Sequence, residues 1–561
     1  MPFSDDILGW NDQLKSQAAN FFNTAQEVVD YMMPSHRQIT TTATPGTKQT
    51  QKIFDSTALD AIVEISSFLS GALFSEGDLW FDVRMMMEEY NRDGTVADYL
   101  QTVRNVQLAS LRHSNFYATT VELMQDWIAF GNLCLLQEYL QPKPPNYPRL
   151  VFTPVGYGSY VFFEGEDKRP EGMIRELDMS AKECVDKFGD TCSEQIAEAA
   201  RKTPFRQFRI VHAITPRKMV QYKRLATPKD MPWASCWFEA GKKGQKPLLE
   251  SGYKEKPFAI ARYNVIAGEV MARGLGEIAL PHVKTINGAV MRGFMEWDKS
   301  LDPPVNTLIN QVVGDLSHRA GGRNIIKRAG AIELMDKDLR SPNVTHQWNL
   351  EDLRKQVREI FRVEALRQLI GVQGQPQKEQ TAFEYGKKLE LVHLIMAPTG
   401  GRLQSEALRD IIETNYAINY RIGAFPPLPD ILIEASKSEQ GNQTVITYEG
   451  PLAQSQRNQQ LGTMREFLQG VGMVAQLDPG AVDIPNIDEF VRKEAEIRGI
   501  GYLLNDPKTT DQIKQLKGKL QQMQMQLQAA EQMSQIAKNA APMVSAMQNG
   551  QQNGAQNGQA A

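Results

Sequence analysis

Six cations stand on two stretches that read as long amphipathic helices: Lys284, Arg292 and Lys299 on or beside the first, and Arg354, Arg358 and Arg362 on the second. The three arginines recur every four residues, which puts them on one helix face. Rows of ammonium and guanidinium groups pair with carboxylates or contact phosphate oxygens. Both readings stay open: a solvated or ion-paired face, or a sparse basic lining whose phosphate contacts are weak and salt-sensitive. Bond-making chemistry has less to stand on. No G-x-x-x-x-G-K-[ST] occurs, and "GKKGQKP" at Gly241 fails its spacing. H-E-x-x-H, G-x-S-x-G and H-x-E…C-x-x-C are also missing. His36, His113, His212, His318 and His393 are far apart along the chain, and Cys134, Cys184, Cys192 and Cys236 form no C-x-x-C pair. The expectation is an assembly part rather than an enzyme, with no metal and no cofactor.

The elements that must position these cations are legible from periodicity. A helix is expected from Ser4 to Met33, capped by Ser4 or Asp5 and ended by Pro34, with Leu14, Ala18, Phe21, Ala25, Val28 and Met32 on one apolar stripe. A second helix spans Ser56 to Phe74. The short strand "LWFDVRM" follows, then helices near Val96–Ser114 and Thr119–Phe130, then the buried strand "NLCLLQEYL". From Pro148 to about Ile266 the chain is β-rich with one small helix, "SAKECVDKFG". After Gly276 Val283, Ile286, Val290, Met291 and Phe294 share a helix face until Asp302-Pro303-Pro304 stops it. Short strand-like runs surround Gly321-Gly322. Asn349 is expected to cap the next helix, with Asp352 completing the cap and Leu353, Val357, Ile360 and Phe361 as its stripe. "GVQGQPQKEQ", residues 371–380, reads as a flexible loop. Helices near Thr381–Met396 and Gly401–Tyr420, the strand-like "TVITYEG" and a helical section from Leu452 to Leu504 complete the series. Beyond Asp506 the chain is Gln/Met/Ala-rich; Met523, Met525, Leu527, Met533 and Met543 read as helix packing, before a low-complexity end.

A chain of 561 residues needs more than one core. Its hydrophobic share of 42% and charged share of 23% are those of a globular protein, and a net charge of −4 excludes a strongly basic nucleic-acid coat. Scattered thiols, an acidic start without an apolar core and no apolar run long enough for a membrane span lead to the expectation of a chain cytoplasmic when made, without a membrane span.

The ordered segments resemble the portal, or head-to-tail connector, of short-tailed bacteriophages. "VVDYMMPSHRQ", with Tyr31, Pro34 and Arg37, is similar to that family's early helix end. "IFDSTALDAIVEISSFLSGALFSEGDLWFDV", with Trp80-Phe81, is similar to its next signature. "MIRELDMSAKECVDKFG" and "KPFAIARYNVIAGEVMARGLGEIALPHVKTIN" resemble its β-rich part and the start of its long helix. "DPP" before a Gly-rich insert, "TAFEYGKKLEL", "GRLQSEAL" and the late "RGI…LLND" follow in order, so the resemblance covers roughly residues 10 to 510.

The resemblance implies a mixed α+β, mainly helical portal fold. Residues 1–275 would form a wing, 276–300 a first stem helix, 301–348 a clip, 349–370 a second stem helix and 371–380 a tunnel loop. Residues 381–450 would return to the wing, 451–548 would build a crown and C-terminal helical barrel, and 549–561 a disordered tail. It further implies a closed ring of copies, twelve in the virion, at the capsid vertex. Double-stranded DNA would be packaged and ejected through it. Its partners would be the terminase large subunit, major capsid and scaffolding proteins, and tail adaptor proteins. The six cations become candidates for the DNA channel. Gly371, Gln373, Gly374, Gln375, Gln377 and Lys378 would make the tunnel loop, and Asp302, Pro303, Pro304, Gly321, Gly322 and Arg323 the docking clip. The alternatives are a hydrolase carried in a virion, which would need a carboxylate pair in a cleft, and a helical scaffold without a channel.

Overall fold

The computed structural model describes residues 3–41, 44, 46–74, 76–77, 79–91, 93–140, 149–217, 227–242, 246–301, 305–317, 323–334, 344–364, 367, 400–435, 444–448, 461–462, 464–473, 487–497, 510 and 512–533. The chain divides into two compact units. One comprises Met1–Arg84, Leu100–Leu428 and Thr444–Gln460; the other comprises Met85–Tyr99, Pro429–Gln443 and Leu461–Ala561. The fold is mixed α+β and mainly helical.

The elements run α1 (Phe3–Met32), α2 (Thr57–Leu73), β1 (Phe81–Met85), α3 (Glu88–Asn91), α4 (Gly94–Arg112), α5 (Phe116–Phe130), β2 (Asn132–Leu140) and β3 (Arg149–Pro154). Then come β4 (Tyr160–Glu164), β5 (Pro170–Ser180), α6 (Ala181–Phe188), α7 (Glu194–Lys202), β6 (Gln207–Pro216), β7 (Trp233–Glu239), β8 (Leu249–Tyr253) and β9 (Phe258–Arg262). The long helix α8 (Leu275–Leu301) leads to β10 (Val305–Thr307), β11 (Val312–Val313), β12 (Ile325–Ile326) and β13 (Ile332–Leu334), and α9 (Val344–Ile360) returns.

Strands β4 to β8 form a five-stranded antiparallel meander, and β3-β2-β9 form a separate three-stranded sheet. Between β5 and α6 the sequence supplies a capping box. Ser180 Oγ accepts from the Glu183 amide at 3.3 Å, and the Glu183 carboxylate accepts from the Ser180 amide at 2.9 Å. That second bond holds the Glu183 carboxyl below its usual range. The aromatic core sits where α2, β1, α5 and β3 meet: Phe74, Trp80, Phe81, Phe116 and Phe152 make edge-to-face contacts at 4.7–5.6 Å. Helix α5 ends at Gly131, whose φ of +89° only glycine adopts without strain. A Cβ there would lie 2.4 Å from the Arg273 carbonyl carbon, and one on Gly274 would lie 2.4 Å from the Ala129 carbonyl oxygen. These two glycines let α8 start directly against the end of α5.

The structure departs from the periodicity reading at five points. Helix α1 starts at Phe3, so Ser4 and Asp5 lie inside it, and its stripe buries Phe22 rather than Phe21. The β-rich part holds a second small helix, α7, whose short polar sequence buries only Ile196 and Ala199. Helix α9 begins at Val344, so Asn349 is an interior residue and not the cap. Nothing between Pro342 and Leu350 breaks a helix, which is why the turn before Asn349 is helical as well. Helix α9 also ends at Ile360, ahead of the expected Ile370; Arg362 follows in a turn with φ +60°, so it does not continue the row of Arg354 and Arg358. The helix around Arg402–Arg421 includes a π-helical turn, Gln404–Leu408, before regular helix resumes at Arg409.

In the second unit a helix covers 512–533, and its large apolar side chains are exposed. Ile513, Leu516, Leu520, Met523, Leu527 and Ala530 alternate at three- and four-residue steps, the heptad seam of a coiled coil. Met525 and Met533 fall off that seam; Met543 lies outside the described residues.

Candidate assembly surface

Helix α8 has 27 residues and spans about 40 Å. Its first half belongs to the core of its own unit. Leu275, Ala279, Leu280, Val283, Ile286 and Asn287 are buried against α1, α5 and α9. Its second half has no such cover among the described residues. Met291, Phe294, Met295, Trp297 and Leu301 are all exposed, Trp297 at 61% and Leu301 at 80%. Helical spacing gathers these five side chains on one broad face, with Arg292 and Glu296 on the other. Singly exposed apolar residues are ordinary; five on one face, two of them aromatic and with Asp298 among them, mark a contact surface.

The segment after α8 adds to it. β10 pairs antiparallel with β13, from Val305 opposite Leu334 to Thr307 opposite Ile332, and β11 pairs with β12. Asn310, at φ +60°, turns the chain between these two ribbons. Among the described residues of this segment only Ala331 is fully buried, while Leu308, Ile309, Val313, Ile325 and Ile326 are exposed, Ile309 at 88%. Two-stranded ribbons with apolar residues facing water depend on outside contacts for stability.

The six cations do not share one environment. Lys284 Nζ lies 2.8 Å from Glu27 Oε2 and 5.6 Å from the centre of the Tyr31 ring. Arg354 holds Asp55 through two contacts of 2.8 Å, and also reaches Glu351. Arg358 lies 3.0 Å from Glu351 and 3.8 Å from Glu364. Hydrogen bonds from Arg358 and then Arg354 hold the Glu351 carboxyl below its usual range. Arg292 is exposed and has no ion pair with a described residue. Lys299 lies on the last turn of α8, seven residues after Arg292 and so on the same helix face; its side chain is outside the described residues. Arg323 is exposed. Asp302, Pro303, Pro304, Gly321, Gly322 and the whole of 371–380 lie outside the described residues. Sequence reasoning missed the apolar half of α8 beyond Phe294, although Met295, Trp297 and Leu301 extend the same spacing.

The fold brings His212 and Ser235, two residue types used in nucleophilic catalysis, into contact. His212 Nε2 lies 2.9 Å from Ser235 Oγ, on neighbouring strands β6 and β7. Arg175 Nε donates to His212 Nδ1 at 3.1 Å, so the ring proton sits on Nε2 and points at Ser235. A histidine in that tautomer cannot take the serine proton. Burial, then the charges of Arg175 and Lys187, pushes its pKa well down, and Trp237 stacks on it at 3.7 Å. The pair is part of the sheet core. No cluster of three or more His, Cys, Asp or Glu able to hold a metal ion exists among the described residues, and none of their helices is long and apolar enough to cross a membrane.

Residues 4–502 match the family described as bacteriophage head to tail connecting protein. The "Probable portal protein" of Bordetella phage BPP-1 is 22% identical over 542 residues, covering 95% of this chain and 94% of the relative. The "Portal protein" of Salmonella phage epsilon15 is 24% identical over 535 residues, covering 93% and 91%. Among solved structures, a chain of the "Neck of empty GTA particle computed with C6 symmetry" aligns over 73% of this chain and 86% of its own, at 11% identity and a TM-score of 0.33. With its matched region running through both the long helix α8 and the exposed ribbons that follow, this chain belongs to the bacteriophage head-to-tail connecting protein family.

Proposed function

We propose that this chain is the portal subunit of a bacteriophage. Copies close into a ring at the capsid vertex, through which double-stranded DNA is packaged and later ejected. The observation that carries this reading is the apolar stripe on the outer half of α8, uncovered among the described residues, in a chain of the connector family. Each large apolar side chain moved from water into a neighbour's surface contributes about 1.5–3 kcal/mol. In a head-to-tail ring every copy both offers and receives that stripe, and closure leaves none uncovered.

On this reading α8 and α9 are the stem, the segment between them the clip, and 371–380 the tunnel loop. The β-rich body with its flanking helices is the wing. The clip docks the terminase motor during packaging and tail adaptors afterwards; the wing meets capsid and scaffolding proteins. ATP hydrolysis belongs to the motor, and this subunit is a non-enzymatic part of the virion. The heptad seam of 512–533 favours a crown whose helices pack as a parallel barrel. For DNA, Arg292 is the strongest lining candidate among the described side chains, with Lys299 on the same helix face, because Lys284, Arg354 and Arg358 already hold carboxylates of their own chain. A lining this sparse gives few, salt-sensitive phosphate contacts, as a sliding duplex requires.

The test is the double variant W297E/L301E. It is expected to remain folded by circular dichroism, since both side chains are exposed, and to lose ring formation in negative-stain images. Rings at wild-type yield would remove the stripe from the interface.

A further inference from the structure

We infer that Asn287, Asp55 and Arg354 form a polar clamp that fixes the direction of the paired helices α8 and α9, and thereby the number of copies a closed ring holds. The inference rests on the ring reading above and adds to it a determinant of subunit number.

The clamp begins with an anomaly. Asn287 lies beside Val283 and Ile286 on the inward face of α8 and is 3% exposed, where the apolar stripe calls for a hydrocarbon. Its amide is used on both sides. Nδ2 donates to the Val283 carbonyl at 2.9 Å, and Oδ1 accepts from the backbone amides of Phe54 at 2.6 Å and Asp55 at 3.0 Å. One side chain therefore ties the middle of α8 to the backbone of Phe54 and Asp55, just ahead of α2. From there the Asp55 carboxylate reaches in two directions. Oδ1 accepts from the Thr57 amide at 3.0 Å, in the first turn of α2, and Oδ2 accepts from Arg354 Nε at 2.8 Å, on α9. Burial works to raise the Asp55 carboxyl, but the bonds from Thr57 and Arg354 hold it below its usual range, so it stays charged. Further along, Arg367 grips Glu64 of α2 through contacts of 2.9 and 2.7 Å.

Apolar packing between helices tolerates sliding and rotation, because it has no direction. A buried amide and an ion pair of two guanidinium nitrogens on one carboxylate oxygen do not: a shift of about 1 Å lengthens these bonds past useful range. The clamp grips α8 at Asn287, just inside the point where its side chains turn outward at Met291. A small change of angle at Asn287 is levered into a large displacement at Leu301. In a heterologous ring the rotation from one copy to its neighbour decides whether and at what number the ring closes. Fixing the angle of the helix pair fixes that rotation.

The experiment compares full-length wild type, Asn287→Ala and Arg354→Met by native mass spectrometry of assembled particles, with circular dichroism to establish folding. Arg354→Met keeps a long side chain in place and removes only the grip; it decides the matter if Asn287→Ala fails to fold. The wild type is expected to give one mass and each folded variant a ladder of subunit numbers, with Arg354→Lys narrower than Arg354→Met. A folded Arg354→Met variant with the single wild-type mass, merely melting lower, overturns the clamp. A wild type that forms no ring overturns the portal reading instead, before either variant is considered.

Discussion

Among the described residues Arg262 is the most confined cation: it is 3% exposed at the end of β9. It meets Glu406 on the π-helical turn at 2.8 Å, also contacts Glu164, and donates to the carbonyls of Lys168 and Val270. Removing one partner of such a cluster leaves buried charge behind, which costs about 3–5 kcal/mol, whereas replacing a buried pair by apolar groups is often nearly neutral. Arg262→Met is therefore expected to lower stability by about 3–5 kcal/mol in urea unfolding, with R262M/E406L regaining most of it. A loss below about 1 kcal/mol would mean that the site behaves as an exposed pair. Such partners are invisible in sequence. Arg262 and Glu406 are 144 residues apart, as are many plausible wrong pairings. The same holds for His212 and Ser235: their types suggested chemistry only once the sheet register was known, and the Arg175 bond then removed it.

Elements were far more legible. Strand β2 coincides with "NLCLLQEYL", and α2 and α5 end within two residues of their expected ends, because apolar spacing and breakers such as Gly131 act locally. Helix α9 was misjudged at both ends for the complementary reason. Asn349 has capping chemistry, but a cap forms only where the preceding turn is not already helical, and the turn at Arg362 has no glycine to announce it. The row of three arginines was accordingly broken, and two of its members hold carboxylates of the same chain. At this scale the 512–533 helix yields a sharp expectation. Leu520 lies at the centre of its heptad seam, so Leu520→Glu should leave rings intact while making this segment rapidly cleaved by protease; unchanged protection would show that the seam is not packed.

For the whole molecule, the two halves of α8 divide the labour. The inner half, with Val283 and Ile286 buried, belongs to the core of the subunit; the outer half, from Met291 to Leu301, leaves apolar surface that the described residues do not cover. That division was only partly legible: periodicity located the helix, but burial of one half and exposure of the other depends on where α1, α5 and α9 stop. Native mass measurement of the purified full-length chain across a dilution series tests the central claim most directly. The account predicts a single closed assembly, with a central hole in images of the same sample, that persists at low concentration. A folded monomer at the highest concentration would contradict it.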